Sequence, residues 1–143
     1  MTRGRPDPEV VRRHLLAITE ALARLRRHAG CSAEELRRDP ELRWAMERGL
    51  QLCAQNALDV ATHLAAAAGR DAPDYATAID RLAEIDALPE EFARRFRSVA
   101  GFRNVLVHGY LEVDLDVVAR LLGERLTDFD LFVDHLERFL ARS

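Results

Sequence analysis

Residues 39–69 read DPELRWAMERGLQLCAQNALDVATHLAAAAG, and their spacing decides the fold. Met46, Leu50, Cys53, Ala57, Val60 and Leu64 recur at alternating steps of four and three, which lines up one apolar face of an α-helix. Asp39 caps its start, Pro40 takes the first helical position and Gly69 ends it, with Gly49 the only interruption. The pattern predicts a helix of about 28 residues, roughly 42 Å at 1.5 Å per residue. A globule of 143 residues is barely that wide, so this helix should span the molecule.

Working outward, Val11, Leu15, Ile18, Leu22, Leu25 and Ala29 trace a second amphipathic helix that ends at Gly30. The polar start of the chain, with Pro6 and Pro8, reads as a flexible arm over residues 1–8. Ser32 and Glu35 form a capping box for a short helical turn. After a turn at 69–73, a helix is expected over Tyr75–Ala87, with Ile79, Leu82 and Ile85 inward. Leu88-Pro89 breaks it, and Glu90 and Glu91 suit the positive end of the next helix. That helix carries Phe92, Phe96, Val99, Phe102 and Leu106 to about Val107, with Gly109 at its end. A last one is expected from Asp114 to Ala141, with a possible kink at Gly123. No segment alternates with period two for long enough to be a strand. The prediction is an all-α, antiparallel bundle of four or five helices, one domain over residues 1–143.

Composition agrees: 48% of residues are apolar, 31% charged and only 6% aromatic, a mixture that favours helix. The net charge of −3 excludes a histone-like protein that coats nucleic acid. All 21 basic residues are Arg, as a GC-rich genome produces; a local cluster keeps its meaning, because the guanidinium fork suits phosphate. Two cysteines, Cys31 and Cys53, make no secreted disulfide framework and are expected to be reduced. There is no signal-peptide pattern, no membrane-length apolar run and no Gly-rich phosphate loop, so a soluble, cytoplasmic protein is expected.

The segment rich in chemistry is GFRNVLVHGY, residues 101–110. On a helix Arg103, Asn104, Val107 and His108 share one surface, with Tyr110 just beyond. A guanidinium, an amide, an imidazole and a phenol therefore converge. Each has a plainer reading alone: His108 as a capping or core histidine, Asn104 as a helix-end hydrogen bond, Tyr110 as a buried anchor.

The order of arginine, four residues, histidine, one residue, tyrosine resembles the signature of HepT-like proteins in the HEPN superfamily of small helical ribonucleases. The long helix with ALDVATHL (57–64) and the linker LPEE (88–91) are similar too, so the likeness runs from about residue 10 to 140. It implies a metal-independent RNase toxin of a type VII-like toxin–antitoxin pair, needing no cofactor. Its implied partner is an MntA-type nucleotidyltransferase antitoxin, which silences it by AMPylation of the motif tyrosine, here Tyr110. A related but different reading is a non-catalytic HEPN module that binds or regulates a nucleotidyltransferase.

The residues suit RNA cleavage on chemical grounds. Histidine titrates near neutrality and can act as base or acid, giving His108 the proton-transfer role. Arg103 offers a permanent charge and fork for the phosphate, Asn104 can orient His108 or touch phosphate, and Tyr110 can contact or stack on RNA. One histidine is thin for acid and base together, so an isologous homodimer that pairs two Arg103/His108 sets is expected. Arg94, Arg95 and Arg97 read equally as a basic track for RNA or as a solvated face opposite Glu90 and Glu91. Asp59 and His63, one turn apart, read as an ordinary helical pair, although both could reach the cleft. His28 and Cys31 are too few for a zinc site, His14 and His135 read as surface residues, and Ser98 and Thr62 belong to no triad.

Overall fold

The long helix forms as its spacing demands. In the computed structural model, which describes residues 6–108 and 113–142 but not the side chains of residues 107 and 108, it runs from Pro40 to Ala67 and is 28 residues long. Asp39 caps it, its carboxylate accepting from the Leu42 N–H at 3.1 Å. The described residues form eight helices: α1 (Pro8–Arg26), α2 (Ala33–Arg38), α3 (Pro40–Ala67), α4 (Tyr75–Glu84), α5 (Glu90–Phe96), α6 (Ser98–His108), α7 (Leu115–Glu124) and α8 (Leu126–Arg142). No strand occurs among them.

Helix α3 is the axis of an all-α bundle: α1, α4 and α6 pack along it, α8 closes against α1, and α2 meets α7. Met46, Leu50, Cys53, Ala57, Val60 and Leu64 are all buried, as the periodicity required. A cluster of aromatic rings closes the other side, with Phe96 stacked on Phe132 at 4.8 Å and meeting Phe129 edge-on at 5.7 Å. Gly49 lets α1 approach α3: a Cβ there would lie 2.5 Å from Leu25 Cδ2 and 2.9 Å from its Cγ.

Boundaries differ from expectation in four places, each for a local reason. The arm expected over residues 1–8 does not reach Pro8, because Asp7 accepts from the Glu9 N–H at 3.0 Å and Pro8 is already helical. Helix α4 stops at Glu84 rather than Ala87, since Asp86 turns left-handed at φ 61° and the Ala87 N–H returns to the Leu82 carbonyl at 2.8 Å. The helix expected from Pro89 to Val107 is two helices. At the break the Ser98 hydroxyl donates to the Arg95 carbonyl at 3.1 Å, and the Ala100 N–H bonds to Arg97. The last helix is likewise two, parted at Arg125 two residues after Gly123.

The two breaks lie against each other. Arg125 Nη2 donates to Ser98 Oγ at 2.8 Å, its Nε donates to Asp128 at 2.8 Å, and Asp128 also pairs with Arg95 at 3.2 Å. No helix among the described residues is long and apolar enough to cross a membrane.

Candidate functional site

Helix α6 delivers Arg103 and Asn104 to the flank of α3, where α4 also meets it. Arg103 is half-buried and Asn104 exposed. The Arg103 Nε–H donates to Gln55 Oε1 at 2.8 Å, and Nη1 donates to Asn104 Oδ1 at 3.3 Å. The guanidinium carbon lies 5.3 Å from the centre of the Tyr75 ring, a cation–π contact. Gln55 in turn donates through Nε2 to Asp59 Oδ1 at 2.8 Å and to the Tyr75 hydroxyl at 3.5 Å. Three helices thus fix one arginine: α6 carries it, α3 supplies Gln55 and Asp59, and α4 supplies Tyr75.

The backbone of α6 continues one further turn to His108, whose side chain lies outside the described residues, as does all of Tyr110. The expected neighbours Arg103 and Asn104 are together. Gln55 and Tyr75 were not singled out from sequence. Their faint signal is Gln55 four residues before Asp59 on α3, just off the stripe that faces the core.

Asp59 and His63 do not form the expected pair; each takes its own partner. Asp59 accepts from Gln55 at 2.8 Å, while His63 Nε2 accepts from the Asp7 N–H at 3.1 Å and pins the start of α1 to α3. The three arginines before the motif form an ion-paired face: Arg94 with Glu90 at 3.4 Å, Arg95 with Asp128 at 3.2 Å, Arg97 with Asp80 at 2.8 Å. His14 and His135 are half-buried, contrary to a surface reading. The His14 Nδ1 donates to Asn56 Oδ1 at 2.8 Å, and His135 rests 5.2 Å from the Phe92 ring. Burial, and then the nearby Arg138, hold the His135 pKa below its ordinary value. Thr62 Oγ1 donates back to the Leu58 carbonyl at 2.9 Å. Cys31 and Cys53 are free thiols. Desolvation pushes buried Cys53 up to about 12 and also raises Cys31. Among the described residues no group of three or more His, Cys, Asp or Glu could hold a metal.

The geometry defines a class first: a small helical bundle that presents one orientated arginine midway along a short helix ending in histidine. A family model described as ribonuclease HepT-like matches residues 18–136, and the chain belongs to that family. It is 23% identical over 127 residues to the mRNA nuclease HepT of Shewanella oneidensis, covering 88% of this chain and 95% of that one. It is 26% identical over 136 residues to the tRNA nuclease HepT of Aphanizomenon flos-aquae, covering 94% and 92%. Among solved structures, the tri-AMPylated Shewanella oneidensis HEPN toxin in complex with MNT antitoxin superposes with a TM-score of 0.78 at 21% identity, over 90% of this chain and 97% of that one. YutE of Bacillus subtilis, a cytosolic protein of unknown function, gives 0.81 at 19% identity, over 95% and 92%. At those identities the solved structures establish the HEPN fold.

Proposed function

We propose that this chain is the metal-independent ribonuclease toxin of a type VII-like toxin–antitoxin pair and acts as a homodimer in the cytoplasm. Its partner is an MntA-type nucleotidyltransferase antitoxin. The observation that carries the reading is Arg103, gripped at Nε by Gln55 and backed by Tyr75, midway along the helix that runs on to His108. Family membership supports it, as do relatives named for nuclease action on mRNA and tRNA and a relative's AMPylated complex with an antitoxin.

The chemistry follows from the residues. His108 of one protomer removes the proton from a ribose 2′-OH, and that oxygen attacks the adjacent phosphorus. Arg103 stabilises the charge that gathers on the non-bridging oxygens, with Asn104 as a further donor. The imidazolium of the second protomer protonates the departing 5′ oxygen, leaving a 2′,3′-cyclic phosphate. Two histidines, one neutral and one charged, perform what a single one cannot. The Tyr110 hydroxyl, attacking the α-phosphorus of ATP on the partner enzyme, takes AMP and releases pyrophosphate. The new phosphate then occupies the anion-binding groups and repels RNA.

The test is expression of wild type and His108→Ala in bacteria, with cleavage of purified RNA assayed in EDTA. Wild type should arrest growth and cut RNA, and the variant should do neither. Equal growth together with intact RNA sinks the enzyme reading and leaves the non-catalytic module. Co-expression with the nucleotidyltransferase should add adenylyl groups by intact mass, and Tyr110→Phe should abolish them.

A further inference from the structure

We infer that Gln55 is the positioning residue for Arg103: a neutral spacer that orients the guanidinium while keeping the Asp59 carboxylate out of ion-pair contact with it. The inference deepens the reading of Arg103 as the phosphate clamp and rests on it.

The amide cannot be turned round. Its NH2 donates to Asp59 Oδ1 at 2.8 Å and to the Tyr75 hydroxyl at 3.5 Å, so its oxygen faces the Arg103 Nε–H at 2.8 Å. The Tyr75 ring, 5.3 Å from the guanidinium carbon, sets the tilt of the plane. Asn104 takes one Nη1–H at 3.3 Å, and the remaining guanidinium N–H groups have no partner among the described residues. Those are the donors a phosphate would use.

The identity of residue 55 matters because the site is half-buried. A carboxylate there would form a charge-assisted hydrogen bond with Arg103 and compete with RNA phosphate. A side chain too short to bridge would leave Asp59 and Arg103 facing each other across the gap. Glutamine does neither: it fixes the fork and leaves Arg103 without an ion pair among the described residues. The other arginines nearby, Arg94, Arg95 and Arg97, each pair directly with a carboxylate. Arg103 instead meets Asp59 through an amide.

The test measures binding of a 2′-O-methyl RNA oligonucleotide, which cannot be cleaved through its 2′ position, across a salt series. Full-length protein in a His108→Ala background permits expression. Removing one phosphate-contacting charge lowers the slope of log affinity against log salt by about 0.7 for a single strand. Arg103→Ala should lower it by that amount, and Gln55→Glu should match it with unchanged helicity by circular dichroism. A folded Gln55→Glu that keeps the starting slope overturns the inference, because a merely structural glutamine would not alter the count of active charges. Should Gln55→Glu misfold, Gln55→Ala decides. It should weaken binding about tenfold or more, as loss of preorganisation does, and adding Asp59→Asn should recover most of that loss. No recovery overturns the spacer role. An Arg103→Ala slope equal to the starting protein's also overturns it. Cleavage in EDTA is scored separately, so a chain that binds through Arg103 yet never cuts loses the nuclease reading and keeps this one.

Discussion

Gly49→Ala sets two effects of similar size against each other in the middle of α3. Alanine is favoured over glycine in a helix interior by about 1 kcal/mol. The added Cβ, however, would sit 2.5 Å from Leu25 Cδ2 and 2.9 Å from Leu25 Cγ. Carbon atoms pack best at about 3.5–4.0 Å, so Leu25 must retreat by about 1 Å. Leu25 is only 1% exposed, so its retreat must be absorbed by repacking between α1 and α3. Overpacking of this kind costs about 1–3 kcal/mol, which outweighs the propensity gain. The net loss of about 1 kcal/mol should lower Tm by about 4 °C for a chain of this size. The sign should reverse when the obstacle is removed. In a Leu25→Ala background, itself costing about 2–5 kcal/mol, the same substitution should raise Tm by about 4 °C. Thermal and urea melts of the four proteins close a double-mutant cycle, with a coupling of about 2 kcal/mol expected. A Gly49→Ala protein more stable than wild type, or one whose effect is the same in both backgrounds, refutes the close-approach argument.

Arg103→Lys keeps the charge but loses the Nε–H to Gln55 and the flat face on Tyr75; kcat/KM for RNA cleavage should fall by about 10²-fold while the salt dependence of binding is retained. His135, whose pKa is lowered chiefly by burial, contributes stability that is fully present above the ordinary histidine pKa of about 6.5 and is lost as pH falls toward its folded value. The Tm of wild type relative to His135→Gln should therefore decline between about pH 7.5 and 5, and a constant difference contradicts the burial argument. Cys53, its thiol pushed up to about 12, should resist iodoacetamide at neutral pH and be alkylated only once the chain unfolds, as peptide mass mapping will show.

The fold was readable wherever spacing alone sufficed. The stripe from Met46 to Leu64 marked the buried face of α3, because periodic burial leaves a periodic trace, and Asp39, Pro40 and Gly69 marked its ends. The extra breaks left none, since each depends on a contact made in three dimensions. The Ser98 hydroxyl competes for a carbonyl at one break, and Arg125 bridges to Ser98 and Asp128 at the other. The site shows the same division. Arg103 and Asn104 were visible as polar residues interrupting an apolar helix. Gln55 and Tyr75, 48 and 28 positions away, left at most the faint trace of Gln55 one turn before Asp59, because their roles arise only when α3 and α4 are laid beside α6. Asp59 and His63 look like a pair at one-turn spacing, yet tertiary partners at Gln55 and Asp7 claim them separately.

The clasp between the two helix breaks ties the far end of the chain to the helix that bears Arg103. Because α6 does not continue α5, its first turn takes its bearing from Arg125, which holds Ser98 and is itself steadied by Asp128. Whatever grips or displaces the C-terminal pair of helices therefore also tugs on the root of the segment bearing Arg103.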